Sequence, residues 1–134
     1  MKILFICEYN ACRSQMAEGL ARKFLPENFS IHSAGIYPGE LNQITVEIMQ
    51  EIGIDLSAQY SKRLAAVEGI LFDLVVVLAK PAWEAAQEIR AAQRMLWHFH
   101  DPVAKPGSRE ELKEKIRIVR DGIEKRIQQL ANEK

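Results

Sequence analysis

Blocks of apolar and polar residues alternate along the chain and predict strands and helices in turn. Lys2–Ile6 and Leu74–Leu78 are nearly unbroken apolar runs, which are typical of strands buried on both faces of a parallel sheet. Phe29–Ser33 alternates apolar and polar residues, and Met95–Phe99 is a further short strand-like run before Asp101. The chain is therefore predicted to contain four strands.

Between and after these strands, apolar residues recur at every third or fourth position, which predicts amphipathic helices. Four helices follow from this spacing: Ser14 to Pro26, Val46 to Ile52, Pro81 to about Arg90, and Ser108 to the C-terminus. Gly53 is the expected C-cap of the second helix. Ser108 and Glu111 have the spacing of a capping box, which marks the start of the last helix.

The alternating order predicts an α/β fold of three layers, in which a four-stranded parallel sheet carries helices on both faces. We expect a single domain spanning residues 1–134, because no long linker, repeat or low-complexity segment interrupts the pattern. Ligands of such folds bind beyond the carboxyl ends of the strands. Cys7 and Asp101 each follow a predicted strand, so both are expected at that edge of the sheet.

The composition is that of an ordinary globular protein. The 18 Lys and Arg balance the 18 Asp and Glu, and the isoelectric point near 6.8 argues against binding to nucleic acid or anionic membranes, which usually needs a basic excess. No apolar run approaches the roughly 18 residues of a membrane helix. Two cysteines do not make a disulfide framework, and the three histidines lack the spacing of metal ligands. We expect a cytoplasmic monomer without a metal.

The segment between the first strand and the first helix has the composition of an anion-binding loop. Its candidate oxyanion-binding residues are Cys7, Glu8, Tyr9, Asn10, Ala11, Cys12, Arg13 and Ser14. Backbone N–H groups at a helix start form a nest for anions, and Arg13 can grip two oxygens of a tetrahedral anion. The same field favours Cys7 as a thiolate nucleophile. Ser14 can donate a hydrogen bond to that sulfur, and Asn10 tolerates left-handed backbone.

The alternative is that Cys7 is a small buried core residue and Arg13 a surface charge. Taken singly, burial in the core is the more frequent fate of a Cys near a strand end. The agreement of strand, loop, Arg-Ser pair and helix favours the anion site. A carboxyl at the same edge, Asp101, has the chemistry to protonate a departing oxygen. Asp101-Pro102 is also compatible with a plain turn.

Several segments resemble the low-molecular-weight protein tyrosine phosphatase superfamily and are most similar to its thiol-dependent arsenate reductases. They are Cys7–Gly19, His32–Gly35, Glu51–Ser57, Ser61-Lys62, Leu96–Pro102 and the last helix. The resemblance covers nearly the whole chain and implies a flavodoxin-like topology. It maps the catalytic nucleophile to Cys7, the oxyanion clamp to Arg13, the acid to Asp101, and loop support to Asn10, Ser14 and Ser33.

Two positions depart from what the resemblance implies, and they point in opposite directions. Arsenate reductases that use thioredoxin carry two further cysteines after the third strand, where this chain has Ala79 and Ala86. The usual relay of disulfides through that segment is therefore excluded. Phosphatases of the family typically place a tyrosine after Asp-Pro, whereas this chain has Val103, a residue that suits an arsenate site.

Three functions remain open. In an arsenate reductase, Cys7 attacks arsenate and a second thiol completes the reduction; that thiol is Cys12, a small external thiol or a thiol-redox protein, and no bound cofactor is expected. Cys12 is equally compatible with a packed, inert thiol.

In a phosphatase, Cys7 forms a phosphocysteine on a phosphorylated substrate, and Tyr9 and Tyr37 are candidates to stack on an aromatic leaving group. A non-enzymatic oxyanion-binding module is the third.

Overall fold

The sheet has the predicted number of strands and the predicted parallel arrangement. The structure, a computed structural model, describes residues 1–133. Its strands are β1 (Lys2–Cys7), β2 (Ser30–Gly35), β3 (Phe72–Val77) and β4 (Ala91–Leu96). They are ordered β2-β1-β3-β4, and each neighbouring pair is parallel. The predicted α/β fold with a four-stranded parallel sheet is confirmed.

The described residues form four α-helices: α1 (Arg13–Phe24), α2 (Gln43–Gln50), α3 (Trp83–Ala86) and α4 (Arg109–Glu133). Short 3₁₀ turns lie at Leu64–Val67 and Lys80–Ala82. The crossover from β1 to β2 and the crossover from β3 to β4 run in opposite directions along the sheet. Right-handed connections therefore put α1 and α3 on opposite faces, which gives the three layers.

Three caps explain where α2 begins and ends and where α4 begins. The Asn42 side chain accepts a hydrogen bond from Thr45 N at 2.9 Å, so α2 starts before the predicted Val46. Gly53, at φ 77°, follows the helix, and the N–H of Ile54 reaches back to the carbonyl of Met49 at 3.1 Å. Ser108 caps α4 by accepting from Glu111 N at 3.2 Å. The predicted start of α4 at Ser108 is confirmed, whereas the last helical residue of α2 is Gln50 and Gly53 lies in the turn that follows it.

The third helix and the fourth strand were predicted wrongly. Instead of a helix from Pro81 to Arg90, the chain forms a 3₁₀ turn and the single turn α3. β4 begins at Ala91, four residues before the predicted start at Met95, because Phe72 pairs with Ala91 and sets the register. β4 is an edge strand and half exposed, so its polar residues hide the strand from a hydrophobicity pattern.

The predicted catalytic residues lie at the carboxyl edge of the sheet. Cys7 is the last residue of β1, and the loop that follows it leads into α1 at Arg13. Beyond β4 the chain keeps hydrogen bonding next to β3, from Trp97 N to Val77 O and from Phe99 N to Leu78 O. This pairing carries Asp101 to the same edge as Cys7. No helix of the described part is both long and apolar enough to cross a bilayer.

Candidate active site

A pocket of about 350 Å³ lies at the carboxyl edge of the sheet and brings the predicted catalytic residues together. Its walls are Cys7, Tyr9, Ala11, Cys12, Arg13, Gly39, Glu40, Asp101 and Val103. Cys7 and Arg13, predicted from the loop after the first strand, share this pocket with Asp101, predicted from a separate segment. Glu8, Asn10 and Ser14 lie in the same loop but outside the lining, and Asn10 and Ser14 are fully buried behind it.

A hydrogen-bonded chain fixes the environment of the Cys7 sulfur. Cys7 Sγ lies 2.9 Å from Ser14 Oγ, which itself accepts a hydrogen bond from Asn10 Nδ2 at 2.7 Å. Asn10 Nδ2 also donates to Ser33 Oγ at 3.0 Å, and Ser33 donates its own proton to the carboxylate of Glu18. Ser14 accepts from Asn10 and keeps its own hydroxyl proton, which it can donate to the Cys7 sulfur.

Asn10 is the centre of the loop. Its φ of 53° lies in the left-handed region, which asparagine tolerates better than most residues. While its Nδ2 binds the two serines, its Oδ1 accepts from Gln15 Nε2 at 2.9 Å and from Lys62 N at 2.8 Å. All the polar atoms of the buried amide are therefore satisfied, and the loop is tied to α1 and to the segment before the first 3₁₀ turn.

Arg13 is contacted by three groups from two parts of the chain, the loop after β1 and the segment after β4. Its Nη1 donates to Phe99 O at 2.9 Å, and its Nη2 lies 3.3 Å from Glu8 Oε1 and 3.9 Å from Asp101 Oδ2. The side chain is only 4% exposed. Asp101 is oriented in turn, since its Oδ1 accepts from Val103 N at 3.0 Å. The guanidinium and the carboxyl therefore face the same pocket without a rearrangement of the backbone.

Cys12 is a second thiol in the pocket wall with a different environment. It is 4% exposed, and the hydroxyl of Thr45 donates to its sulfur at 3.1 Å. Burial raises the pKa of the Cys12 thiol to about 12, although the Thr45 hydrogen bond partly opposes this. At neutral pH, Cys12 is therefore a protonated thiol. Both cysteines are free in the structure.

The described residues contain no group of three or more His, Cys, Asp or Glu side chains arranged to bind a metal ion. Ala79 and Ala86 are both fully buried beside β3, so the segment that would supply further thiols presents methyl groups to the core. The polar functions near the sulfur are thus those of the loop, Ser33, Asp101 and the residues that orient them.

The family of this chain is decided by its match to a family model. The model of the low molecular weight phosphotyrosine protein phosphatase matches residues 2–134. The chain belongs to this phosphatase family. The family resemblance noted in the sequence is thereby confirmed.

Relatives within the phosphatase family include both classes of enzyme that the sequence suggested. An arsenate reductase of Halalkalibacterium halodurans is 40% identical over 130 residues, which is 96% of this chain and 94% of that protein. A structure described as an arsenate reductase in the phosphate binding state has 28% identity and a TM-score of 0.76, covering 98% of this chain and 97% of its own. A mutant of the arginine phosphatase YwlE with a phosphorylated active-site serine has 25% identity and a TM-score of 0.74, covering 99% and 95%.

Several residues that shape this family site were missed by the sequence analysis. Gln15 is fully buried and ties Asn10 to Tyr60 O, and Glu18 ends the chain of hydrogen bonds from Cys7. A signal for both was present, because Gln15 and Glu18 are polar residues one helical turn apart beside an apolar stripe. The carbonyl of Phe99 and the hydroxyl of Thr45 carry no such signal, since each arrives from a distant part of the chain.

Proposed function

We propose that this chain is a thiol-dependent arsenate reductase in which the Cys7 thiolate attacks the arsenic of a bound arsenate. The observation that carries the proposal is the pocket itself, which joins a thiol, a guanidinium and a carboxyl and has the small apolar Val103 beside the acid. The arsenate reductase that is 40% identical over nearly the full length supports the same activity.

In the first step, the backbone amides of residues 8–14 and the guanidinium of Arg13 hold the oxyanion over Cys7. The sulfur attacks arsenic, and one arsenic–oxygen bond breaks. The departing oxygen takes a proton from Asp101 and leaves as water, so the product is a Cys7–arsenic(V) adduct. The contacts of Asp101 with Val103 N and Arg13 support this role, because they keep the carboxyl beside the bound anion.

In the second step, an external thiolate attacks Cys7 Sγ and the sulfur–arsenic bond breaks. The bonding electron pair stays on arsenic, which is reduced from arsenic(V) to arsenic(III) and leaves as arsenite. Cys7 is left in a mixed disulfide with the external thiol. A second thiol molecule then attacks that mixed disulfide and restores Cys7. The two thiol molecules leave as their disulfide, so two thiols are consumed for each arsenate.

We assign the second thiol to an external molecule rather than to Cys12. A protonated thiol is a poor nucleophile, and the raised pKa of Cys12 disfavours its thiolate. Ala79 and Ala86 remove the thiols of the usual relay. A small thiol or the exposed cysteine of a redox protein therefore has to enter through the pocket mouth.

The test is a paired assay on the purified protein. Arsenite release from arsenate is measured in three separate reactions: with thioredoxin and its reductase, with glutathione, and without a thiol. Hydrolysis of p-nitrophenyl phosphate is measured in parallel. We expect arsenite release that depends on an added thiol. Ester hydrolysis with no arsenite under any reductant would contradict the proposal.

A phosphatase is the second candidate. Its first step is the same attack on phosphorus, and water then hydrolyses the phosphocysteine, so it needs no further thiol. Ala79 and Ala86 favour it for that reason, as does the exposed pair Tyr9 and Tyr37, with ring centroids 5.5 Å apart beside the pocket. The paired assay separates the two enzymes. The cytoplasmic location and the monomeric state stay predictions.

A further inference from the structure

The anion-binding loop contains a carboxylate directly after the nucleophile, and this carboxylate contacts the guanidinium expected to hold the substrate. Glu8 Oε1 lies 3.3 Å from Arg13 Nη2, and the Glu8 side chain is 24% exposed. A half-buried negative charge is the opposite of what a site for a dianion needs for tight binding. Its contact with Arg13 therefore calls for a role other than raising affinity.

Arg13 has contacts other than Glu8 that orient its side chain. Phe99 O accepts from Nη1 at 2.9 Å, and Asp101 lies 3.9 Å from Nη2. Arg13 is 4% exposed, so its stem is also held by packing. Glu8 also places a negative charge beside the guanidinium. A bound oxyanion therefore has to share the positive charge of Arg13 with the Glu8 carboxylate. Charge interactions in a partly buried pocket are screened less than at an open surface.

We propose that Glu8 is a specificity-determining residue that weakens the binding of tetrahedral dianions at Arg13. A bound dianion shares the guanidinium with the Glu8 carboxylate and is repelled by it, so its affinity is lowered. The arsenate step leaves the total charge of the site unchanged, because the proton that leaves in water leaves a negative charge on Asp101. The effect of Glu8 is therefore expected in the binding of the anion and in KM.

The turnover part of this proposal rests on the arsenate reductase activity, but the binding part does not. Any unreactive tetrahedral dianion in the pocket is repelled by Glu8 in the same way. Inorganic phosphate is the probe, and its binding is followed by the protection of Cys7 against alkylation with iodoacetamide. A protein without arsenate reduction would thus leave the effect of Glu8 on phosphate affinity fully measurable.

The main variant is Glu8→Gln, which keeps an oxygen as acceptor for Arg13 Nη2 and removes the charge. We expect its dissociation constant for phosphate to fall about three- to tenfold at low ionic strength, and the gain to shrink in 1 M salt, where the Debye length is about 3 Å. In turnover, KM for arsenate should fall by a similar factor, because arsenate is a tetrahedral dianion like phosphate.

Two comparisons make the result decisive. Glu8→Leu removes the acceptor as well as the charge; matching behaviour of the two variants assigns the effect to charge. Glu68→Gln, an exposed carboxylate next to the turn Leu64–Val67 at the other end of β3, controls for the change in net charge. The proposal is overturned if Glu8→Gln leaves phosphate affinity unchanged or weakens it, or if KM rises while the rate constant falls, because Glu8 would then be orienting Arg13.

Discussion

At the scale of single residues, a chain of hydrogen bonds connects Glu18 to Cys7, the proposed nucleophile. The buried Glu18 side chain accepts the proton of Ser33, which accepts from Asn10. The Asn10 amide nitrogen also donates to Ser14, whose own proton is then available for the sulfur. Three polar side chains thus link a buried carboxylate to the environment of Cys7.

Glu18→Gln tests this chain. The change removes the carboxylate to which Ser33 donates, so the chain of hydrogen bonds behind Cys7 loses its charged acceptor. We expect kcat/KM for arsenate to fall about tenfold, since a hydrogen bond to a charged group is worth about 1.5–3 kcal/mol. The alkylation rate of Cys7 by iodoacetamide at pH 6.5 should fall with it. Arg22→Gln is the control, because Arg22 pairs with Glu18 at 2.9 Å without touching Ser33.

The two thiols should respond differently to replacement by serine. Cys7→Ser removes the nucleophile, so arsenite release and ester hydrolysis should both fall to the rate without enzyme. Cys12→Ser should retain either activity within about threefold when a small thiol is supplied, since a buried, protonated thiol is inert. If Cys12→Ser abolishes arsenite release but keeps ester hydrolysis, Cys12 is the second thiol and the assignment to an external one is wrong.

At the scale of elements, the end of β2 determines the space available to the catalytic loop. Gly35 pairs with Cys7 across the strands. A Cβ at Gly35 would lie 2.7 Å from Asn10 N and from the Tyr9 carbonyl carbon, and 2.9 Å from Glu8 O. These are backbone atoms, so no side-chain rotation relieves the contact. The glycine is needed for the close approach of loop and strand.

Gly35→Ala should therefore displace the loop and destabilise the fold. We expect a loss of about 1–3 kcal/mol in the free energy of unfolding, the usual cost of overpacking, together with weaker phosphate binding. Urea denaturation and phosphate protection of Cys7 measure the two effects. Gly107→Ala is the matched control, because its added methyl would meet the flexible end of Glu111 at 3.5 Å. Equal stability of both variants would refute the steric argument.

The contact between α2 and α4 gives the fold a dependence on pH. Glu51, just after α2, binds Arg117 Nη2 at 2.7 Å and Arg120 Nη1 at 2.9 Å. These hydrogen bonds, that of Arg117 above all, lower the pKa of the Glu51 carboxyl to about 2. Because the folded pKa lies below that of the unfolded chain, the stabilisation is complete above about pH 4.5 and is lost as the pH falls towards 2.

Glu51→Gln should remove that part of the acid sensitivity. The variant is expected to be less stable than the parent at pH 7 and to approach it as the pH falls from about 5 to 2, because the parent then loses the same interaction. Urea midpoints across this range provide the measurement. Glu110→Gln, which pairs with Lys113 within α4 at 3.6 Å, controls for an exposed carboxylate. A constant difference between parent and Glu51→Gln at all pH values would contradict the assignment.

The elements that sequence patterns predicted well are those whose structure is decided locally. β1 and β3 are buried on both faces and have the apolar runs that announce such strands, and Gly53 and Ser108 mark helix ends by their own chemistry. The chain between Ala79 and Leu96 was predicted poorly, because pairing with β3 rather than hydrophobic periodicity sets its register. The anion-binding loop was predicted from its composition. The hydrogen bonds that it makes with Phe99, Thr45 and Lys62 could not be predicted, because they depend on the tertiary fold.

At the scale of the whole molecule, three distant segments are joined by the site. The loop after β1, the stretch from Ser33 to Lys62 and the segment from Phe99 to Val103 all contribute contacts to it. An anion that bridges backbone amides and Arg13 would bind to the folded chain and have no site in the unfolded one. Binding and folding are therefore coupled by mass action.

Phosphate should raise the melting temperature, and Arg13 should account for most of the rise. At a hundred times its dissociation constant, phosphate stabilises the fold by about 2.7 kcal/mol, which is roughly 10 °C at about 4 °C per kcal/mol for a chain of this size. Arg13→Gln removes the only guanidinium in the pocket lining, so its melting temperature should be nearly independent of phosphate, whatever its starting value. Sodium chloride at equal ionic strength corrects for general salt effects. A full phosphate shift in Arg13→Gln would mean that the anion binds elsewhere on the molecule.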